Sequence, residues 1–210
     1  MLRSSLGVFC LWGSLLPTGC SDPVTNLITQ VNDPDVTTRR AAVKALADVT
    51  GERAVNALAN ACDDPDATVR RFSLDSLAAH GPDATAQMPA ILTALDDPNL
   101  AVRIAAALAV RSIDPTSDAF VPVLERELLA GEGGVFLAVG EMGPQGAWAV
   151  PALTRLLNHR ESQIRALAAR TLGQIGPAAS EALPALERVA RDSEQVIRER
   201  VQQAIDQSAR

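Results

Sequence analysis

One spacing constrains this chain more than any residue type does. Asp-x-x-x-x-x-Arg runs from Asp33 to Arg39, Asp64 to Arg70, Asp97 to Arg103 and Asp192 to Arg198, and His159 to Arg165 repeats it with His for Asp. The arginines lie 31, 33, 62 and 33 residues apart; 62 is twice 31, so one copy between Arg103 and Arg165 has lost its Arg. Other columns keep the same phase. The residue before each Arg is Thr38, Val69, Val102, Ile164 or Ile197, and the seventh after it is Leu46, Leu77, Val110, Leu172 or Ile205. Gly-Pro recurs at Gly81-Pro82, Gly143-Pro144 and Gly176-Pro177, and an apolar residue precedes Pro89, Pro122, Pro151 and Pro184. Units this short cannot bury an apolar face alone, so neighbours must stack.

Each unit predicts two helices. A proline in the first turn opens helix A, where its missing N–H is not needed. A short turn follows, and helix B runs to a glycine stop. The expected B helices are 36–49, 67–80, 100–113, 133–142, 162–175 and 194–208. Apolar residues at offsets −1, +3, +7 and +10 from the Arg share one face of such a helix. Composition agrees: 47% of residues are hydrophobic, only 3% are aromatic, and Tyr is absent. That suits closely packed helices and disfavours a large sheet core or an aromatic-lined pocket. The expected fold is all-α, an α-solenoid of about six stacked two-helix repeats, with residues 23–210 as one domain.

Val102-Arg103 with Ala105-Ala106, Val150-Pro151-Ala152-Leu153, Ile164-Arg165 and Leu172-Gly173-Gln174-Ile175-Gly176-Pro177 resemble HEAT repeats. More narrowly, they are similar to the short HEAT-like repeats of phycobilin lyase subunits and bacterial adaptors. The resemblance implies B helices along a concave side and an Asp–Arg ladder between adjacent units. Its members here would be Asp33, Arg39, Asp64, Arg70, Asp97, Arg103, Arg165, Asp192 and Arg198.

The N-terminus reads as an address. Arg3 precedes an apolar run from Leu6 to Leu16, too short for the roughly 20 residues that span a bilayer as a helix but long enough for a secretory signal. Leu16-Pro17-Thr18-Gly19-Cys20 resembles a bacterial lipobox, with Pro17 where an aliphatic residue is usual. The resemblance implies a signal over 1–19, acylation of Cys20 and a short tether over 20–22. With Ser21 and Asp22 following, it also implies an outer-membrane rather than inner-membrane address in a Gram-negative cell. A plain secretion signal and a misplaced start codon are the alternatives. Cys10 would leave with the signal and Cys20 would carry lipid, so Cys62 would have no disulfide partner.

The fourth unit breaks the pattern. Gly131-Glu132-Gly133-Gly134 replaces the Asp-containing turn, and Glu132 stands in the Arg column. Neutral decay, a soft joint and a docking gap are the three readings. Offsets +1 and +5 from the Arg read out the inner face: Arg40 and Lys44, Arg71 and Asp75, Ile104 and Leu108, Gly133 and Leu137, Ala166 and Arg170, Glu199 and Gln203. An aliphatic patch (Ile104, Leu108, Leu137) interrupts the charges. It is either a contact site, as clustered exposed aliphatics commonly are, or it is buried by curvature. Arg40, Lys44, Arg71 and Arg170 are candidate partner-binding cations. Trp148 is a rim anchor or a plug between units. His80 is placed at a helix end, His159 weakens a rung or makes it pH-sensitive, and Cys62 belongs in a buried column.

Function classes narrow accordingly. The net charge of −6 disfavours nucleic acid, whose phosphates need a basic stripe. His80 precedes Gly81 and His159 precedes Arg160, without the carboxylate spacing of a metal site. No Gly-x-Ser-x-Gly, phosphate loop or Cys-x-x-Cys occurs. No catalytic residue, metal or cofactor is expected. The reading is a monomeric, non-catalytic scaffold for a protein or peptide near the membrane, touching that membrane only through its lipid anchor. A phycobilin lyase-like subunit, or another HEAT-repeat enzyme accessory factor, is the alternative.

Overall fold

A glycine turns the chain between units and a proline gives it a new direction. Gly81, Gly143 and Gly176 take φ values of 54°, 55° and 72°, which glycine reaches without the Cβ penalty of other residues. The proline after each glycine opens a 3-10 segment, over 81–87, 143–149 and 176–182. Each segment runs straight into the next helix, whose first turn holds another proline. Gly-Pro is therefore a stop for one unit and the start of the next.

The computed structural model describes residues 22–190 and 195–208. Among these, all regular structure is helical, in six pairs: α1 (Pro23–Gln30) with α2 (Val36–Ala45), α3 (Glu52–Ala61) with α4 (Ala67–His80), and α5 (Met88–Thr93) with α6 (Leu100–Ile113). The second half holds α7 (Val121–Leu129) with α8 (Gly133–Glu141), α9 (Val150–Leu156) with α10 (Ser162–Ile175), and α11 (Leu183–Val189) with α12 (Gln195–Ser208). The helices α4, α6 and α10 have the bounds expected from the repeat. α2 tightens into a 3-10 turn over 46–48. The expected leader with Cys20, the acid Asp192 and the side chain of Arg198 lie outside the described residues.

Odd and even helices make two layers of one α-solenoid. Consecutive even helices approach each other more closely than consecutive odd ones, so the even layer lies on the inner, shorter side of the curve. The column seven after each Arg (Leu46, Leu77, Val110, Leu172) is fully buried between units, as are Val69 and Val102 in the column before it. Each buried Leu contributes about 1.5–3 kcal/mol. The buried apolar residues form one cluster from Val31 to Ala204, so the units share a core.

The fourth unit is compressed. Its turn, 130–132, has three residues against five in 62–66 and 157–161. Gly131 bends it with φ 84°, and a Cβ there would press on Ile164 Cδ1 at 3.1 Å.

Candidate functional site

Two side chains, Asp and then Asp or Asn, divide the work in each regular turn. The first accepts the N–H of the residue two places on: Asp33 from Asp35, Asp64 from Asp66 and Asp97 from Asn99, at 2.8, 2.8 and 2.7 Å. The second caps helix B. Asp35 accepts from Thr38 N, Asp66 from Thr68 N and Val69 N, and Asn99 from Ala101 N and Val102 N. Such caps stabilise a helix by about 1 kcal/mol each. The caps were not read from the sequence, although Asp-Pro-Asp at 33–35 and 64–66 and Asp-Pro-Asn at 97–99 signal them.

The ladder arginine joins two units at once. Arg39 Nε and Nη2 donate to the Asp64 carboxylate at 2.7 and 3.1 Å, while Nη1 donates to the Asp33 and Pro34 carbonyls of its own turn. Arg70 does the same with Asp97 at 2.7 and 3.0 Å and with the Asp64 and Pro65 carbonyls. Only a guanidinium presents so many donors in a fixed plane. These side chains are 13% or less exposed, so the pairs are screened less than surface ones. The Asp64 hydrogen bond raises the pKa of Arg39, and Asp97 does so for Arg70. Burial presses the Asp97 carboxyl upward, and the Arg70 and Asn99 hydrogen bonds overcome it, leaving the pKa below the usual value. Asp33, in the first described unit, caps its own turn.

Arg103 finds a different acid. Its Nε and Nη2 reach Glu127 Oε1 at 3.1 and 3.0 Å, and its Nη1 takes the Asp97 and Pro98 carbonyls. Glu127 comes from α7, not from the turn, and also accepts from Arg126. Sequence reasoning missed it. One rung further, both partners change: Glu132 replaces the Arg and His159 the Asp, and no ion pair joins units four and five at this level among the described residues. His159 Nδ1 still accepts from Glu161 N at 3.2 Å, so it keeps the turn function of the Asp it replaces. Arg165 donates to the His159 and Arg160 carbonyls.

A second ladder of side chains bonding to backbone ties the even helices together. Ser76 Oγ donates to Val43 O at 2.9 Å, Ser112 Oγ to Ala78 O at 2.7 Å and Thr171 Oγ1 to Phe136 O at 3.3 Å. His80 Nε2 lies 3.2 Å from Leu46 O, so this helix-end histidine reaches the preceding unit. Cys62 is buried, with its Sγ 3.5 Å from Leu58 O. Burial, then the Asp63 charge, pushes its thiol up to about 12.

The inner-face residues separate into two groups. Arg40 pairs with Asp66 through Nε and Nη2 at 3.0 and 2.7 Å, so this expected partner-binding cation bridges units instead. Ile104 and Leu108 are half-buried against the core, because the curve of the even layer covers much of each. Trp148 is also half-buried, edge-on to Phe120 at 5.9 Å and 78°, and plugs the join between units rather than standing on the rim. Leu137 is different: it is 52% exposed and lines a cavity with Leu167, Arg170 and Gln174. Arg170 and Gln174 continue into a second cavity with Gln203 and Gln207. Lys44 and Arg71 both sit over the Phe72 ring, at 3.9 and 4.7 Å. Burial raises the pKa of the Asp75 carboxyl, opposed by Arg71.

The family model for HEAT repeats matches residues 14–78, 60–135 and 135–206. The chain belongs to the HEAT-repeat family. No curated protein matches it. Among solved structures, the complex of CpcE and CpcF of phycocyanin lyase from Nostoc sp. PCC7120 is similar at 22% identity and TM-score 0.55, over 94% of this chain and 79% of that one. A designed armadillo repeat protein in complex with the peptide (KR)4 is similar at 16% identity and TM-score 0.54, over 89% and 100%. An engineered protein follows at 19% and 0.53, over 90% and 99%. At these identities the likeness is one of fold.

A HEAT array of this kind offers a rigid curved surface. Among the described residues no group of His, Cys, Asp and Glu is placed to hold a metal ion, and no helix is long and apolar enough to cross a membrane.

Proposed function

We propose that this HEAT-repeat protein is a non-catalytic scaffold that holds a polypeptide partner along its even helices. In the same reading, an acylated Cys20 anchors it to the cell envelope. The observation that carries the binding role is Leu137, 52% exposed on the inner layer in a row whose other cations and aliphatics lie open or half-open. A large apolar side chain left exposed inside a groove is a common contact residue. The complexes formed by the structural neighbours, one of two proteins and one with a peptide, support a polypeptide partner.

The anchor rests on the lipobox-like Leu16-Pro17-Thr18-Gly19-Cys20. Several acyl chains on one residue hold a protein to a membrane stably, where one does not. With two residues between Cys20 and Pro23, the tether reaches about 10 Å, and six units at about 8–10 Å each extend about 50–60 Å. The partner is then membrane-associated or close to the membrane, on the periplasmic side of the outer membrane if the cell is Gram-negative.

Palmitate labelling of the wild-type protein, lost in Cys20→Ala, is the expected result. A wild-type protein that is fully soluble with an intact N-terminus overturns the anchor. The phycobilin lyase-like reading, which the CpcE/CpcF neighbour favours, is tested by incubation with phycocyanobilin. A bound, red-shifted chromophore would replace the scaffold reading with that one.

A further inference from the structure

The charges along the inner row of this chain are unevenly distributed. Carboxylates outnumber cations overall, 25 to 19, and the ladder arginines Arg39, Arg70 and Arg103 are matched to acids. Lys44, Arg71 and Arg170, on the inner layer, form no ion pair among the described residues. Lys44 and Arg71 are held over the Phe72 ring, which orients them and leaves their charge in place. Asp75 stands one turn from Arg71 and offsets it in part. From there to Glu199 the +1 and +5 positions hold no acid: Ile104, Leu108, Gly133, Leu137, Ala166, Arg170. Along the array the order is cation in the second unit, aliphatics in the third and fourth, cation in the fifth.

We infer that the inner face takes an extended acidic-ended segment: two or three aliphatic side chains at its centre lie on Leu108, Leu137 and Leu167, and carboxylates at its two ends meet Arg71 and Arg170. This inference rests on the scaffold reading and names the partner's chemistry. Three unit steps at about 8–10 Å separate the two arginines by about 25–30 Å, which an extended strand at about 3.3 Å per residue covers in about nine residues. The amides of Gln174, Gln203 and Gln207, in and beyond the same groove, can donate to and accept from a peptide backbone. An apolar centre with complementary charge at the rim supplies both affinity and register.

The test is selection of a phage-displayed random nonapeptide library on the purified full chain, followed by fluorescence anisotropy with the enriched peptides. The expected consensus has Asp or Glu at both ends and Leu, Ile, Val, Met or Phe in the middle. Arg71→Glu and Arg170→Glu each weaken binding at least tenfold with unchanged circular dichroism. Arg71→Gln and Arg170→Gln weaken it about threefold, and 0.5 M NaCl weakens it at least tenfold. Enriched peptides with basic or uncharged ends, or charge-reversed variants that bind as the wild type does, overturn this inference and leave the scaffold standing. A selection that enriches nothing overturns the scaffold reading as well.

Discussion

Arg103 closes its rung on Glu127, a helix residue, where Arg39 and Arg70 close theirs on turn residues Asp64 and Asp97. A guanidinium this buried cannot be left without an acid cheaply. Loss of the turn Asp in the fourth unit is therefore offset by a Glu from the preceding helix, held at 7% exposure. Burial works against its charge, and the Arg103 and Arg126 hydrogen bonds outweigh that, keeping its pKa below the usual Glu value.

Glu127→Gln removes the charge that two arginines share. It is expected to cost about 1–3 kcal/mol in urea denaturation. Replacing both partners, as Arg103→Met with Glu127→Leu, is expected to cost less than Glu127→Gln alone, since no charge is left buried unpaired. A double replacement at least as harmful as the single one would show that the rung is not where the cost arises.

The rung between units four and five can be restored. Glu132→Arg with His159→Asp recreates the pairing found at Arg39–Asp64, on a turn where His159 already accepts the Glu161 N–H. The pair is expected to raise stability by about 0.5–1.5 kcal/mol beyond the sum of the single changes. A coupling of zero in that double-mutant cycle would mean that the three-residue turn holds the units out of register for a rung.

Acid should loosen the even layer through its caps and inter-unit pairs. The carboxyl of Asp35 is lowered from 3.8 to about 2, first by the Thr37 hydroxyl and then by the Thr38 N–H. That of Asp66 is lowered to about 2, first by its hydrogen bond from Arg40. Because the folded pKa lies below the unfolded one, the unfolded chain takes up protons first as pH falls. The contribution is present above about pH 5 and is lost progressively toward pH 2. Urea midpoints across that range should fall, and Asp66→Asn should flatten the dependence.

Leu137 and Ile104 look alike in the repeat columns and differ in space. Leu137→Ser, at an exposed site, is expected to change stability by less than about 0.5 kcal/mol. Ile104→Ser, half-buried with its Cδ1 beside Gly134, is expected to cost about 1–2 kcal/mol. Thermal denaturation of the two variants separates them. Equal losses would place Leu137 in the core.

The fold was legible because every column repeats: the bounds of α4, α6 and α10 follow from the Arg position alone. The inner face was legible only in part. Offsets of +1 and +5 place a side chain on a helix face but carry nothing about the neighbouring helix, so Arg40 reads as a free cation although Asp66 is within reach. For the same reason Ile104 and Leu108 could be read either as a contact site or as buried by curvature. Glu127 escaped because it lies in α7 and not in the turn that supplies the acid in other units. A missing turn Asp beside a retained Arg was nonetheless a signal to look for an acid within a turn or two. The contacts of Gly173, where a Cβ would come 2.9 Å from Ala204 Cα, depend on how closely α10 and α12 approach, which no local pattern encodes.

The most direct test of the account compares two exposed leucines. Leu137 lies on the inner layer and Leu92, 38% exposed, on the outer one. A photo-cross-linking amino acid at each position in the native cell should trap a polypeptide partner from position 137 and none from position 92. Cross-links of equal strength from both, or from position 92 alone, would contradict a scaffold that binds along its even helices.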